Sequence, residues 1–157
     1  MKSMDNEAGW LSRGVRQATV DDKPKLVEMA ARFILSTSYR AIIRLVPEVL
    51  DNLVDVLLEH GTILVYEEEG ELVGMLAASA LPSPYSGETE GIEVVWWVDQ
   101  EHRRMLAGPK LLRSFESWAR QKGIRVVKMG APVGSDVGRF LEHLGYEAVE
   151  TAYMKTL

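Results

Sequence analysis

Residues 93–112 read EVVWWVDQEHRRMLAGPKLL, and this stretch decides the fold. Its first six residues form an apolar run behind a single glutamate and predict a strand over 93–98. A polar turn with two arginines follows, then Gly108, then a helix. Strand, glycine-bearing loop and helix start in succession are a common device for holding a phosphate. The first N–H groups of a helix lack intrahelical partners, and the helix dipole adds positive potential there. Arg103, Arg104 and Lys110 set cations beside those donors. An ordinary strand–turn–helix connection with a solvated basic turn is the competing reading, since one glycine in a loop is weak evidence.

Outward from this stretch, the predicted elements follow in order. A short strand covers 15–18, and Asp21 or Asp22 can cap a helix that tolerates Pro24 in its first turn. Leu26, Val27, Ala30, Phe33 and Ile34 give that helix one apolar face. Residues 40–46 fit either helix or extended chain. Pro47 opens a second helix with Leu50, Leu53, Val54, Leu57 and Leu58 as its stripe and Gly61 past its end. Runs 62–67 and 72–80 around Gly70 predict an antiparallel hairpin, with Gly74 marking a bulge or a close backbone approach. Residues 82–87 form a turn-rich loop. The strand at 91–98 lacks alternation, which predicts burial on both faces and a central place in the sheet. A helix over 108–122 packs through Leu111, Leu112, Phe115 and Trp118. A strand over 126–131, a helix over 135–144 and a pair of strands at 146–149 and 152–155 complete the chain. Residues 1–14 read as a tail and 15–157 as one domain.

Composition narrows the function classes. The chain has 157 residues, 46% of them hydrophobic and 26% charged, ordinary values for a globular protein. A net charge of −5 disfavours a general nucleic-acid binder. The absence of cysteine removes disulfides, thiolate catalysis and cysteine-rich zinc sites. His60, His102 and His143 fall in no ligand spacing, so no metal is expected. No apolar run approaches a membrane span and no signal core opens the chain, so no membrane partner is expected and the default location is cytoplasmic.

The segment 98–112 resembles the acetyl-CoA loop of the GNAT N-acetyltransferase superfamily, which runs V-D-P-E-Y-R-G-x-G-x-G-x-x-L-L. Arg103 matches the arginine, Gly108 the last glycine, and Leu111 and Leu112 the paired leucines. Arg104 and Leu106 stand where the family prefers glycine. The segment 140–146 (FLEHLGY) is similar to the family's F-Y-E-K-L-G-F, and the order of elements from residue 15 onward matches as well. The resemblance implies an α+β, three-layer fold with a mixed, mostly antiparallel central sheet and helices on both faces. It also implies acetyl transfer from acetyl-CoA to a primary amine of a small molecule, peptide or protein. The cofactor's arm would lie along 93–98, with Trp96, Trp97 and Val98 beside it. Its pyrophosphate would meet Arg103, Arg104, Met105, Leu106, Ala107 and Gly108, with Ser135 nearby.

The resemblance makes Glu93 the candidate general base, since the family often places a glutamate on this strand, and burial there would raise its pKa toward neutrality. Glu88 and Glu90 are alternatives. The family's usual acid, a tyrosine in the late helix, is Leu141 here. Tyr153, Tyr146 and Ser135 are the substitutes considered, with Tyr153 named as the catalytic acid. Tyr39 and Arg40 lie where acceptor contacts are expected. A homodimer is expected because dimers are frequent in the family. The weakened glycine pattern and the missing tyrosine leave a second reading open: an acyl-CoA-binding or protein-interaction module with little or no turnover.

Overall fold

The computed structural model describes residues 9–103 and 106–157. Five strands form one sheet in the order β1-β2-β3-β4-β5: β1 (Val15–Gln17), β2 (Thr62–Glu68), β3 (Glu71–Pro82), β4 (Thr89–Val98) and β5 (Val126–Lys128). All neighbours run antiparallel except β4 and β5, which are parallel. Helices α1 (Lys23–Ser36) and α2 (Pro47–His60) cover one face; α3 (Ala107–Gln121) and α4 (Val137–His143) cover the other. The sheet is thus mixed, mostly antiparallel and sandwiched.

The two faces follow from the period-2 side-chain alternation of the strands. In β2, Ile63 and Val65 join Leu26, Met29, Val54 and Leu57 under α1 and α2. Leu64 and Tyr66 point the other way, into a cluster with Leu111, Leu112, Phe115 and Trp118 of α3. The start of α1 is held electrostatically: the Thr19 amide donates to Asp22 at 2.8 Å, and Arg16 bridges Asp22 and Glu67 at 2.8 and 2.7 Å. Gly74 is a close approach, as expected. A Cβ there would sit 3.1 Å from the Trp97 carbonyl and 3.3 Å from Leu111, while the β2/β3 register shifts beside it.

Three expectations are corrected. First, β4 is not buried on both faces along its length. Val95 is buried, but Val94, Trp96, Trp97 and Val98 are only half-buried. The cause is topological: β5 pairs with β4 only from Glu90 to Ile92, so 93–98 has a neighbour, β3, on one side alone. Second, β5 and α4 are shorter than predicted, three and seven residues. Third, 146–149 and 152–155 form no strands. Residues 147–157 are exposed throughout, Val149 at 82%, so ordering them into a ladder would gain no burial to offset its entropy cost. At the other end, Trp10 and Leu11 pack on the α3 side of the core, so residues 9–14 are attached to the domain. Residues 1–8 of the expected tail lie outside the described residues.

Candidate active site

The site begins where β4 and β5 part. Their last backbone pair joins Ile92 to Lys128, and one residue further each strand takes its own course. A bulge sits at the same place: Ala77 pairs with Val95 and Ala78 with Glu93, which leaves Val94 as the extra residue. Bulges re-aim side chains. Here the side chain at the opening is Glu93, whose Oε2 accepts a hydrogen bond from the Gly130 amide at 2.9 Å. Packing around the carboxyl pushes its pKa up to about 7 by desolvation, and the Gly130 amide opposes that shift in part. Near neutrality this group is divided between acid and base.

The other two carboxylates considered are engaged. Glu90 pairs with Lys128 at 2.7 Å, which together with Ser83 holds its carboxyl below the usual range. Glu88 faces Arg125 at 3.8 Å. Of the three, Glu93 alone has no cation partner among the described residues.

Beyond β4 the chain makes one 3-10 turn (Gln100–His102) before α3. Arg103 folds back onto the strand end: its Nε donates to the Val98 carbonyl at 3.0 Å, and its guanidinium stacks 4.7 Å from the Trp97 ring centre. Trp97 in turn donates through Nε1 to Asp99 at 2.9 Å, and Arg32 of α1 reaches the same carboxylate at 3.4 Å. Arg103 therefore braces the end of β4 and directs its charge at an aromatic face. Arg104 and Met105 lie outside the described residues.

Helix α3 starts at Ala107, which is fully buried, and Pro109 in its first turn contributes no N–H. The Lys110 amide is taken by the Leu106 carbonyl at 2.9 Å. The amides of Ala107 and Gly108 are then the orphan donors of the helix start. Leu106 is 66% exposed, so the side chain that stands in place of the family's glycine lies largely in solvent. A Cβ on Gly108 would meet Trp96 at 3.6 Å, an ordinary contact, so packing inside the protein does not demand glycine there. The Trp96 indole packs 6.2 Å from Phe140 of α4, and its Nε1 is buried without a partner. These features fit an elongated ligand bearing amides and phosphates: an open strand edge to pair with, two free helix-start amides and a bare α-carbon.

Among the described residues, none of Tyr146, Tyr153 and Ser135 hydrogen-bonds to Glu93. Leu141 is 5% exposed and packs in the core. Tyr153 is 91% exposed on the irregular terminal segment. Tyr146 donates its hydroxyl to Glu116 at 2.9 Å, and burial with that carboxylate pushes its pKa well above the ordinary phenol value. The Ser135 hydroxyl donates to the Pro132 carbonyl at 2.7 Å. Tyr39 and Arg40 sit on a 3-10 turn (Ser38–Ala41) between α1 and α2, both exposed. A cleft of about 530 Å³ lined by Glu68, Glu69, Glu71, Val73, Glu101 and His102 lies at the β2/β3 turn, and no residue of the β4/β5 opening lines it. Sequence reasoning missed Gly130. Its only signal was a glycine inside the strand predicted over 126–131, which in the structure ends at Lys128.

Among the described residues, no helix is long and apolar enough to cross a membrane, and no group of histidines and carboxylates is arranged to hold a metal ion.

No curated protein sequence matches the chain. Solved structures do. An aminoglycoside acetyltransferase from an uncultured soil metagenomic sample, solved with trehalose, is 21% identical with TM-score 0.69, covering 99% of each chain. A ribosomal-protein-alanine N-acetyltransferase from Brucella melitensis biovar Abortus 2308 is 19% identical with TM-score 0.68, covering 91% of this chain and 97% of that one. A transcriptional regulator from Bacillus halodurans C-125 is 21% identical with TM-score 0.74, covering 91% and 98%. At these identities the likeness establishes the fold. The family model "Acetyltransferase (GNAT) family" matches residues 28–146, from within α1 through the β4/β5 opening and α3 to Tyr146. This chain belongs to the GNAT acetyltransferase family.

Proposed function

We propose that the protein is an acetyl-CoA-dependent N-acetyltransferase that acts on a primary amine by direct transfer, with Glu93 as general base. The observation that carries this reading is the placement of Glu93. A carboxyl with pKa about 7 stands where the sheet opens, and the strand edge beside it lacks a neighbour. Such a group accepts a proton from an ammonium acceptor near neutrality and leaves the amine nucleophilic. The N–C bond then forms as the C–S bond breaks, the nitrogen gives up its second proton to water, and the leaving thiolate takes a proton back from water.

The open backbone of 93–98 would hold the amide-bearing arm of acetyl-CoA, and an N–H of that edge would face the developing oxyanion. The amides of Ala107 and Gly108 would take the phosphates. Arg103 contributes chiefly by holding the end of β4 in place. Glu88 and Glu90 are each paired with a cation, so the acceptor's charge does not follow from them. A homodimer in the cytoplasm is part of the same proposal.

The buried Leu141, where the family has its usual tyrosine, favours one second reading, an acyl-CoA-binding domain with little turnover. Calorimetric titration of acetyl-CoA into the protein, followed by thiol release over an amine panel, tests both. Micromolar binding with thiol release supports the enzyme, and binding without release across the panel supports the second reading. No binding at millimolar acetyl-CoA overturns both.

A further inference from the structure

The last backbone rung between β4 and β5 is Ile92 with Lys128, and the next link across the opening is made by a side chain. Glu93 follows Ile92 directly, and Gly130 lies two residues past the end of β5. The Gly130 amide, which has left the ladder, donates to Oε2 of Glu93 at 2.9 Å. No described group donates to Oε1. The two carboxylate oxygens are therefore inequivalent, one tied across the opening and one unengaged.

We propose that Gly130 is the positioning residue for Glu93: its amide pins Oε2 across the opening so that Oε1 alone takes the acceptor's proton. This rests on the reading of Glu93 as the base. A Cβ at position 130 would lie 3.2 Å from Oε2, tighter than nine in ten such contacts, so even alanine there would push the carboxylate a few tenths of an ångström from its place on the amide.

An N–H donor to a carboxylate favours the charged form. It thus works against the desolvation that raises this group, and keeps the base usable near neutrality. The charged neighbours do not contribute. Lys128 on β5 and Glu90 on β4 are paired with each other at 2.7 Å, and burial and the Gly130 amide are the two influences on Glu93.

The test is a pH titration of the full chain by NMR, following the Gly130 amide cross-peak and the Glu93 side-chain carboxyl carbon. In the wild type both should move with one midpoint near pH 7, and in Glu93→Gln the Gly130 amide should stay still through that range. In Gly130→Ala the Glu93 midpoint should rise, by up to about one pH unit, because a donor to the anion is weakened while burial persists. The amide spectrum itself reports whether each variant is folded. A wild-type Gly130 amide that does not titrate with Glu93, or a Gly130→Ala midpoint equal to wild type, overturns the proposal. Both readouts need neither acetyl-CoA nor turnover, so failure of the acetyltransferase reading would appear separately, as absent binding or thiol release.

Discussion

The two ends of the sheet are built on opposite terms. From β1 to β3 every strand finds its neighbour, both faces are covered, and Leu64, Val65, Leu76 and Ala77 have no exposed surface. At the β4/β5 end the ladder is as short as at β1/β2, three pairs, but β4 runs on past it from Glu93 to Val98, its tryptophans are half-buried, and a half-buried carboxyl has no counter-ion among the described residues. The first arrangement gains stability from burial and from satisfied backbone groups. The second leaves the buried Trp96 indole N–H without a partner, at a cost, and the edge of 93–98 without a neighbouring strand. Groups left wanting partners in this way are available to a ligand, so the end that weakens the fold is the end equipped for chemistry.

Mutations in the packed core and at the opening should differ in sign as well as size. Phe115 is fully buried and stacks on Trp118 with ring centres 5.9 Å apart. Phe115→Ala should cost about 3–5 kcal/mol in denaturant unfolding, the largest effect anticipated. Gly74→Ala comes next. Its new Cβ meets the Trp97 carbonyl at 3.1 Å and forces β3 from β4, costing about 1–3 kcal/mol by the same measurement.

At the opening, Glu93→Gln should do the reverse and raise Tm. Folding lifts this carboxyl above its ordinary value of 4.5 to about 7, so the folded state binds the proton more tightly than the unfolded one. The resulting penalty is absent below about pH 4.5, grows as pH rises, and is complete above about pH 7. The Tm gain in Glu93→Gln should therefore be larger at pH 8 than at pH 5, by a few degrees, in thermal scans. Asp22→Ala, at the closed end, should lower stability by about 1 kcal/mol or less, since it removes a partly exposed pair with Arg16 and a link to the Thr19 amide. Arg16 depresses the Asp22 carboxyl, so that contribution should fade as pH falls through the acid range.

What the sequence made legible follows the same division. Elements with a sustained apolar period were readable: α1, α2 and α3 differ from expectation by at most two residues at an end, and the β2/β3 hairpin was placed by Gly70 and its flanking runs. The family resemblance singled out Glu93 on β4, and the structure puts its carboxyl at the β4/β5 opening. Three things were not readable. Where β5 leaves β4 depends on neighbours, and Val126 to Lys128 carries no local signal of ending. The terminal runs around Val149 and Tyr153 have strand-like residues, but strand propensity yields no ladder without burial. The orientation of Arg103 was hidden as well, because an arginine in a basic turn serves a phosphate or an aromatic ring equally well by composition. Only the geometry puts it over Trp97.

The most direct test of the account is the pH dependence of kcat/KM for acetyl transfer, in wild type and in Glu93→Gln, with an amine acceptor identified by thiol release. The account predicts an acid limb in the wild type with a midpoint near pH 7. In Glu93→Gln it predicts a loss of about 10²–10⁴-fold at pH 8, with that limb gone. A variant that keeps wild-type kcat/KM, or loses activity equally at every pH while retaining the limb, would contradict the assignment of Glu93 as the base.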